Sequence, residues 1–370
     1  MKISAEGSAR ADIIGAPIED LDTPALLLDG PACERNIQRM AAYFADRPCQ
    51  LRPHFKNHKC TTLARRQQAT GCLAGMTCAK VGEAEILANN GFKNVLIANQ
   101  ILGRRKIERL IELARRIEIG IAIDHEDQAR LVSEAASAAG VTVGALVEVD
   151  IGMGRCGVEA GTPAIDLARL IGRCPGLHFD GIQAFEGHII YVNDDDERAA
   201  LAEQAMQLAF NTRERLEADG IPVRVISGGS TSTYRINGLA DGPNEMQAGT
   251  YPTMDWRYGE VTPEFEVALT VLTRVISRRP NAAVLDVGVK GAGGEFGVPK
   301  IKGHPDVEIP FFISEEHSIV KNAPDWRLGD AVEMISSHAC TTCNLHREMI
   351  VHENRRVVEV WPIEASGHLA

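Results

Sequence analysis

No stretch of the chain approaches the roughly 20 consecutive apolar residues that a membrane-spanning helix needs. The first residues carry no basic region followed by an apolar run, so no secretory signal is read and a cytoplasmic location is expected. Basic residues are in deficit: 39 Lys and Arg face 50 Asp and Glu, giving a formal net charge of −11. That balance speaks against nucleic acid as the main partner, because binding its phosphates needs a concentrated basic surface. A local basic pocket for a single phosphate is still compatible with it. The 9 cysteines are odd in number, and Cys33, Cys49, Cys60, Cys72, Cys78, Cys156 and Cys174 follow no framework spacing. Free thiols in a reducing compartment are expected. There is no low-complexity tract and no internal repeat beyond one alternation, described next.

Hydrophobic residues make up 45% and charged residues 24%, ordinary for a soluble globular chain. The length of 370 residues suits one barrel of ~250 residues plus a unit of about 100. Short apolar runs at 50–54, 74–78, 94–98, 118–123, 143–149, 178–184, 222–227 and 244–248 read as strands. Helical patterns separate them, as at 103–116, where apolar residues recur at helical spacing, and at 197–219, which stops at Gly220 with Pro222 just beyond. The alternation predicts a parallel (β/α)8 barrel or, equally compatible with the periodicity, an open doubly wound sheet. After about residue 260 the texture becomes β-rich, with strands expected at 267–278, 283–289, 307–313, 331–335, 349–352 and 357–361 and no amphipathic helix between them. The expected division is an N-terminal segment 1–29 packing with a β domain at 261–370, and a barrel at 30–260.

Chemistry-bearing residues crowd Arg52-Pro53-His54-Phe55-Lys56-Asn57-His58-Lys59, directly after the first barrel strand. The C-terminal strand ends are where a barrel does its chemistry. An amine there, partly desolvated among other cations, can become a nucleophile or base, and Lys56 is the candidate. A solvated basic loop is the alternative. Ser227-Gly228-Gly229-Ser230-Thr231 and Gln247-Ala248-Gly249-Thr250-Tyr251 follow the last two barrel strands. Glycines let a backbone approach an anion, and hydroxyls complete a cradle, so the pair is read as a phosphate site. Arg155, between Gly154 and Cys156-Gly157, either sets its planar fork against a ligand or pairs with a carboxylate such as Asp150. The acidic block Asp194-Asp195-Asp196-Glu197 is read as the cap of the helix that follows, not as a metal site. In Ser337-His338-Ala339-Cys340-Thr341-Thr342-Cys343-Asn344-Leu345-His346, imidazole and thiolate are zinc ligands. If a strand runs through them, His338 and Cys340 share one face and one ion. A closed site with Cys343 and His346 is also conceivable, as is a buried thiol beside a hydrogen-bonded histidine.

These motifs together resemble the fold-type III pyridoxal-phosphate enzymes, in the group of D-threonine aldolase, 3-hydroxyaspartate aldolase and D-serine dehydratase. The run at 52–59 is similar to that family's lysine strand, and the likeness extends from Asp22-Thr23-Pro24 to the C-terminus. The resemblance implies a TIM-like (β/α)8 barrel of the alanine racemase N-terminal type plus a C-terminal all-β domain. It implies that Lys56 holds pyridoxal 5'-phosphate covalently, that Gly228, Gly229, Ser230 and Thr231 with Gly249, Thr250 and Tyr251 bind its phosphate, and that Arg155 lies beside its ring. It implies a divalent metal on His338 and Cys340, with cysteine favouring zinc over manganese or magnesium.

In Gln183-Ala184-Phe185-Glu186-Gly187-His188, Phe185 stands where the family has tyrosine. The aldolases carry a histidine, proposed as the base, four residues after this glycine; here the position is Tyr191, with His188 three residues before it. The resemblance thus implies an aldolase of D-3-hydroxy amino acids, with Tyr191 or His188 as base. The dehydratase outcome, a 2-oxo acid and ammonia, stays open. So does a cofactor carrier without turnover, although a carrier needs neither a β domain nor a metal pair. The expected partners are a small D-amino acid and a second copy of the chain in a homodimer, with no nucleic acid or membrane.

Overall fold

Short buried strands alternating with amphipathic helices build one of the two compact units of the computed structural model, which describes residues 11–238 and 244–370. Of the expected N-terminal segment, residues 1–10 lie outside the described residues. The barrel unit comprises residues 39–56, the described part of 64–249 and 368–370, and the β unit holds 57–63, 250–367 and the described part of 1–38. The units are therefore interleaved in sequence, where the sequence reading drew contiguous blocks.

In chain order the first strands are β1 (Ala25–Asp29), β2 (Gln50–Leu51), β3 (Met76–Cys78), β4 (Asn94–Ile97) and β5 (Glu118–Ile123). There follow β6 (Val143–Asp150), β7 (Val158–Glu159), β8 (Leu177–Ala184), β9 (Val225–Gly228) and β10 (Glu245–Met246). The barrel sheet runs β2-β10-β9-β8-β6-β5-β4-β3, with every pair parallel. Isolated parallel bridges Leu51–Leu73 and His54–Thr77 join its two ends, so the sheet closes. Strand β6 shows no alternation of buried and exposed positions. It is buried at nearly every residue from Val143 to Val149, as expected of a strand inside a parallel sheet covered by helices. Helix Arg104–Ala114 buries Ile107, Leu110 and Ile111, one face of a 3.6-residue period. Asp194 caps the long helix Asp195–Ala218 by accepting the Glu197 N–H at 2.8 Å.

The β unit adds β11 (Leu269–Arg279), β12 (Ala282–Leu285), β13 (Lys300–Ile301), β14 (Ser318–Lys321), β15 (Ala331–Ile335), β16 (Glu348–Glu353) and β17 (Arg356–Pro362). Its sheet runs β13-β15-β11-β1-β16-β17, with β12 and β14 attached through β11. The N-terminal strand β1 is thus central, antiparallel to β11 and parallel to β16. Ile18, Leu21 and Leu27 pack with Leu272, Ile350 and Val357 in one core cluster.

Two β-rich expectations are corrected. The run 307–313 is not a strand: only Glu308 makes a bridge, to Lys321, and Pro310 removes a ladder donor from the run. After residue 260 a helix does occur, Ala339–Leu345. No helix among the described residues is long and apolar enough to cross a membrane.

Because Leu27 is fully buried between two neighbouring strands, Leu27→Ala should lower unfolding free energy by about 2–5 kcal/mol. Denaturant titration measures it. A loss below about 1 kcal/mol would mean that β1 contributes little to the core.

Candidate functional site

The chain leaves β2 through a segment held on both sides: the His54 N–H donates to Ala248 O at 3.1 Å, and the Phe55 N–H donates to Thr77 O at 2.7 Å. These bonds place Lys56 at the C-terminal end of the barrel strands, half-buried among buried neighbours. Arg155, His188, Gly229 and Gly249 all follow the C-terminal ends of parallel strands, namely β6, β8, β9 and β10, so they share that end of the barrel. The Phe185 ring gathers two of the predicted cations. Lys56 Nζ stands 5.7 Å from its centroid and the Arg155 guanidinium carbon 5.4 Å, both within cation–π range.

Arg155 also lies 3.9 Å from buried Glu148, not paired to Asp150. The Asp150 carboxylate instead accepts the N–H groups of Gly152 and Gly154. Burial opposes its charge, but these donors, Met153 N–H and the nearby His188 outweigh it and hold its pKa below the usual value. Burial pushes Glu148 up, only partly offset by Gln100 and Arg155. His188 and Tyr191 stand on the short turn Gly187–Tyr191, and both are exposed, Tyr191 by 61%.

The first glycine loop has no room for side chains. A Cβ on Gly228 would meet Ala184 O at 1.9 Å, and Gly229, at φ +77°, would press one against Met246 Sδ at 2.3 Å. Ser230 caps the turn Thr231–Thr233 by accepting the Ser232 N–H at 3.2 Å. The second loop is tied to the first: Gln247 N–H donates to Gly228 O at 2.8 Å, and its side-chain amide to Ser227 Oγ at 2.9 Å. Thr250 and Tyr251 continue directly from Gly249 into the β unit, where Tyr251 is buried against Phe265. An accessible lysine, a side-chain-free glycine loop and a cluster of hydroxyls fit a phosphorylated aldehyde cofactor such as pyridoxal phosphate.

Beneath the first loop lies a group that sequence reasoning missed. Glu186 is buried; its Oε1 accepts from Thr233 Oγ1 and from Asn237 Nδ2, while Oε2 has no hydrogen-bond partner among the described residues. Burial raises its pKa, the hydrogen bonds offsetting this only in part. Glu186 stood in plain view inside the 183–188 run, but its partners are 47 and 51 residues away, and no local pattern reports them.

In the β unit, His338 and Cys340 are together, though not by the expected strand geometry. His338 is the extended N-cap residue of helix Ala339–Leu345, and Cys340 lies in its first turn. The cap places the two residues two positions apart at the helix start, and Cys340 acts on the charge of the imidazole. Burial opposes a charge on His338, but the charges of Cys340 and Asp255 outweigh it and hold its pKa well above the usual value. Rings of Phe296 and Tyr258 flank the imidazole at 4.4 and 6.2 Å.

Its Nδ1 is 3.2 Å from Asp255 Oδ2, and Asn57 Nδ2 is 3.6 Å from Cys340 Sγ. An imidazole and a thiol side by side fit a divalent metal with soft or borderline character. The four-ligand alternative finds no support among the described residues. Burial holds the Cys343 thiol well above its usual pKa, and His346 Nε2 is engaged with Gly291 O at 2.7 Å. Among the described residues no group of three or more His, Cys, Asp or Glu side chains is arranged to hold a metal ion. Asn57 and Asp255, like Glu186, carry no local sequence signal for their roles.

Comparison with known proteins agrees with this geometry. The family model described as "Alanine racemase, N-terminal domain" matches residues 28–253, and one described as "Putative serine dehydratase domain" matches 268–352. The chain is 35% identical to a D-threonine aldolase of Arthrobacter sp, covering 95% of each chain. It is 33% identical to a 3-hydroxy-D-aspartate aldolase of Paracoccus denitrificans, covering 95% of this chain and 94% of that one. A D-threo-3-hydroxyaspartate dehydratase of Delftia sp. is more distant, at 28% identity over 87% of this chain and 92% of that one. Among solved structures, D-threonine aldolase from Filomicrobium marinum superposes with a TM-score of 0.93 at 38% identity, covering 96% of this chain and 99% of that one.

The buried Glu186 carboxyl generates a pH prediction. Its folded pKa is raised above the ordinary 4.5, so in the interval between the two values the unfolded chain has lost the proton and the folded chain has kept it. Stability then falls as pH rises through that interval, and the penalty persists above it. Glu186→Gln removes the titration while keeping an oxygen for Thr233 and Asn237. Its unfolding free energy relative to wild type should therefore be more favourable at pH 8 than at pH 5. Denaturant titrations at both pH values check this, and a difference independent of pH would contradict it.

Proposed function

The chain belongs to the alanine racemase N-terminal-domain family and, within it, to the fold-type III pyridoxal-phosphate enzymes that include D-threonine aldolase and 3-hydroxy-D-aspartate aldolase; on that premise we propose that it cleaves D-3-hydroxy amino acids reversibly to glycine and an aldehyde, using pyridoxal phosphate and a divalent metal. The observation that carries this reading is likeness to aldolases along almost the whole chain, closer than the likeness to a dehydratase.

Lys56 holds the cofactor. Gly228, Gly229, Ser230 and Thr231, with Gly249, Thr250 and Tyr251, take its phosphate, and Arg155 faces its ring. His338 and Cys340 hold the metal, zinc ahead of manganese or magnesium because a thiolate is a soft donor. When bound, the cofactor supplies an electron sink and the metal a Lewis acid. The residues of the chain bind, orient and move protons. Tyr191, or His188 through a water, takes the proton of the β-hydroxyl as the Cα–Cβ bond breaks. Lys56 serves one face of Cα, which selects the D hand. A second copy of the chain as dimer partner belongs to the same proposal.

A dehydratase is the second reading, favoured by Tyr191 standing where the aldolases carry a histidine. In that case Lys56 takes the α-proton and the β-hydroxyl leaves, giving a 2-oxo acid and ammonia. The two outcomes differ in which proton the protein removes.

The purified holoenzyme incubated with D-threonine should yield glycine and acetaldehyde, with L-threonine left intact. A 2-oxo acid and ammonia as sole products would select the second reading, and no product from any D-3-hydroxy acid would indicate a carrier. Borohydride reduction followed by peptide mapping should place the cofactor label on Lys56. A label on Lys59, which is buried with its carbonyl accepting the Ala365 N–H at 3.1 Å, would overturn the assignment.

A further inference from the structure

One short stretch, Thr253-Met254-Asp255, acts on the pair from behind: Asp255 touches His338 directly, and Thr253 reaches Cys340 through Asn57. Its backbone is pinned. Thr250 O accepts the N–H groups of Thr253 and Met254 at 3.1 and 2.8 Å, and Thr253 O accepts those of Ala268 and Leu269, both at 2.9 Å. Met254 between them adopts φ +54° with its side chain fully buried. A methionine rarely takes this left-handed conformation, and it persists only where surrounding contacts hold it. On either side of this turn the two polar side chains bear on different members of the metal pair, Asp255 directly and Thr253 through Asn57.

Asp255 is fully buried and uses both oxygens. Oδ1 accepts the Tyr258 N–H at 2.9 Å, capping helix Trp256–Val261. Oδ2 accepts the Ala339 N–H at 2.9 Å and lies 3.2 Å from His338 Nδ1. A carboxylate only accepts, so Nδ1 carries a proton, and in the neutral ring that binds an ion Nε2 is the nitrogen with a lone pair. Thr253 acts at one remove. Its hydroxyl lies 2.8 Å from Asn57 Oδ1 and 3.1 Å from Thr250 O. With Asn57 Oδ1 turned to that hydroxyl, the amide Nδ2 faces Cys340 Sγ at 3.6 Å and donates to it. A donor on sulfur stabilises the thiolate that binds a metal.

We propose that Thr253 and Asp255 are the positioning residues of the metal pair, Asp255 fixing His338 so that Nε2 meets the ion and Thr253 orienting the Asn57 amide onto the Cys340 sulfur. This rests on the metal reading of His338 and Cys340. It adds that affinity for the ion is set from the segment following the second glycine loop. Asp255→Asn is a sharp perturbation. With its oxygen toward Tyr258 the helix cap survives, but its NH2 then faces Nδ1 and also the Ala339 N–H, which loses its acceptor. The imidazole must accept there, and its proton moves to Nε2, the atom the ion needs.

The test uses Co2+ with the cofactor-loaded protein, since thiolate-bound Co2+ has a near-ultraviolet charge-transfer band. Wild type should bind Co2+ and show the band. Asp255→Asn should bind it about 10–100-fold more weakly, the usual scale for losing such support, with the cofactor absorbance retained. Thr253→Val leaves Asp255 and its cap intact, so it stands as the second arm if Asp255→Asn does not fold. It should shift the charge-transfer band and weaken binding. Wild-type affinity in Asp255→Asn, or an unmoved band and affinity in Thr253→Val, overturns the positioning role of that residue. A wild-type protein that takes up no Co2+ overturns the metal reading and this proposal with it.

Discussion

Closure of the parallel sheet is the constraint on which the barrel unit depends. Every strand of an open sheet edge leaves a row of unpaired backbone groups, and here the seam falls on β2, which is only two residues long. The segment after it carries the pairing on both sides. Leu51 N–H donates to Cys72 O and Arg52 N–H to Met246 O, and the alternation continues through His54 and Phe55. The chain at 51–55 therefore has little freedom, because each N–H that turns left or right completes the seam. Lys56 is the first residue beyond the last of these bonds. Its position follows from barrel closure more than from any contact of its own side chain.

Beneath the seam the same segment holds a buried ion pair. Arg52 grips Glu245 with two bonds of 2.7 Å and reaches Asn94 with a third, also 2.7 Å. A pair of this kind adds little net stability over an apolar substitute, yet losing one partner strands a buried charge. It ties the strand bearing Lys56 to β10, the strand leading to the second glycine loop, and to β4. Acidic groups thus serve two purposes in a chain of net charge −11. Some, such as Glu245, fix cations of the scaffold. Others, Glu148 and Glu186, sit behind the strand-end loops with burial working against their charge.

What could be read from sequence was whatever repeats or clusters locally. Alternating strands and helices, Lys56 within its basic run, the two glycine loops and the His338–Cys340 pair all lie within a few residues of their own signals. The strand ends were less legible. A run that reads as 50–54 yields a ladder at Gln50–Leu51 alone, its remainder pairing through isolated bridges. Helix Ala339–Leu345 was unreadable because its first turn is settled from outside: Asp255 accepts the Ala339 N–H and Gly293 donates to Thr342 Oγ1. Asn57, Thr253, Asp255 and Glu186 have the same property. Each is an ordinary polar residue whose partners are distant in the chain, so only the fold discloses what it holds.

The position of the two candidate bases bears on how the family's chemistries diverge. His188 and Tyr191 share one five-residue turn, Gly187–Tyr191, exposed at both side chains. The turn starts at Glu186, whose buried carboxyl is fastened to Thr233 and Asn237, and Ile189 and Ile190 are buried in its middle. Its backbone is thus anchored at its start and through its core, while the side chains of His188 and Tyr191 stand exposed. Exchanging histidine for tyrosine at 191 costs no core packing and disturbs no ladder. Under the proposed function, the choice between breaking Cα–Cβ and expelling a β-hydroxyl falls to exposed side chains of this turn. The fold and the strand-end loops would stay as they are, so resemblance across the whole chain speaks to the scaffold, and under the proposed function the residue at 191 bears on the bond that breaks.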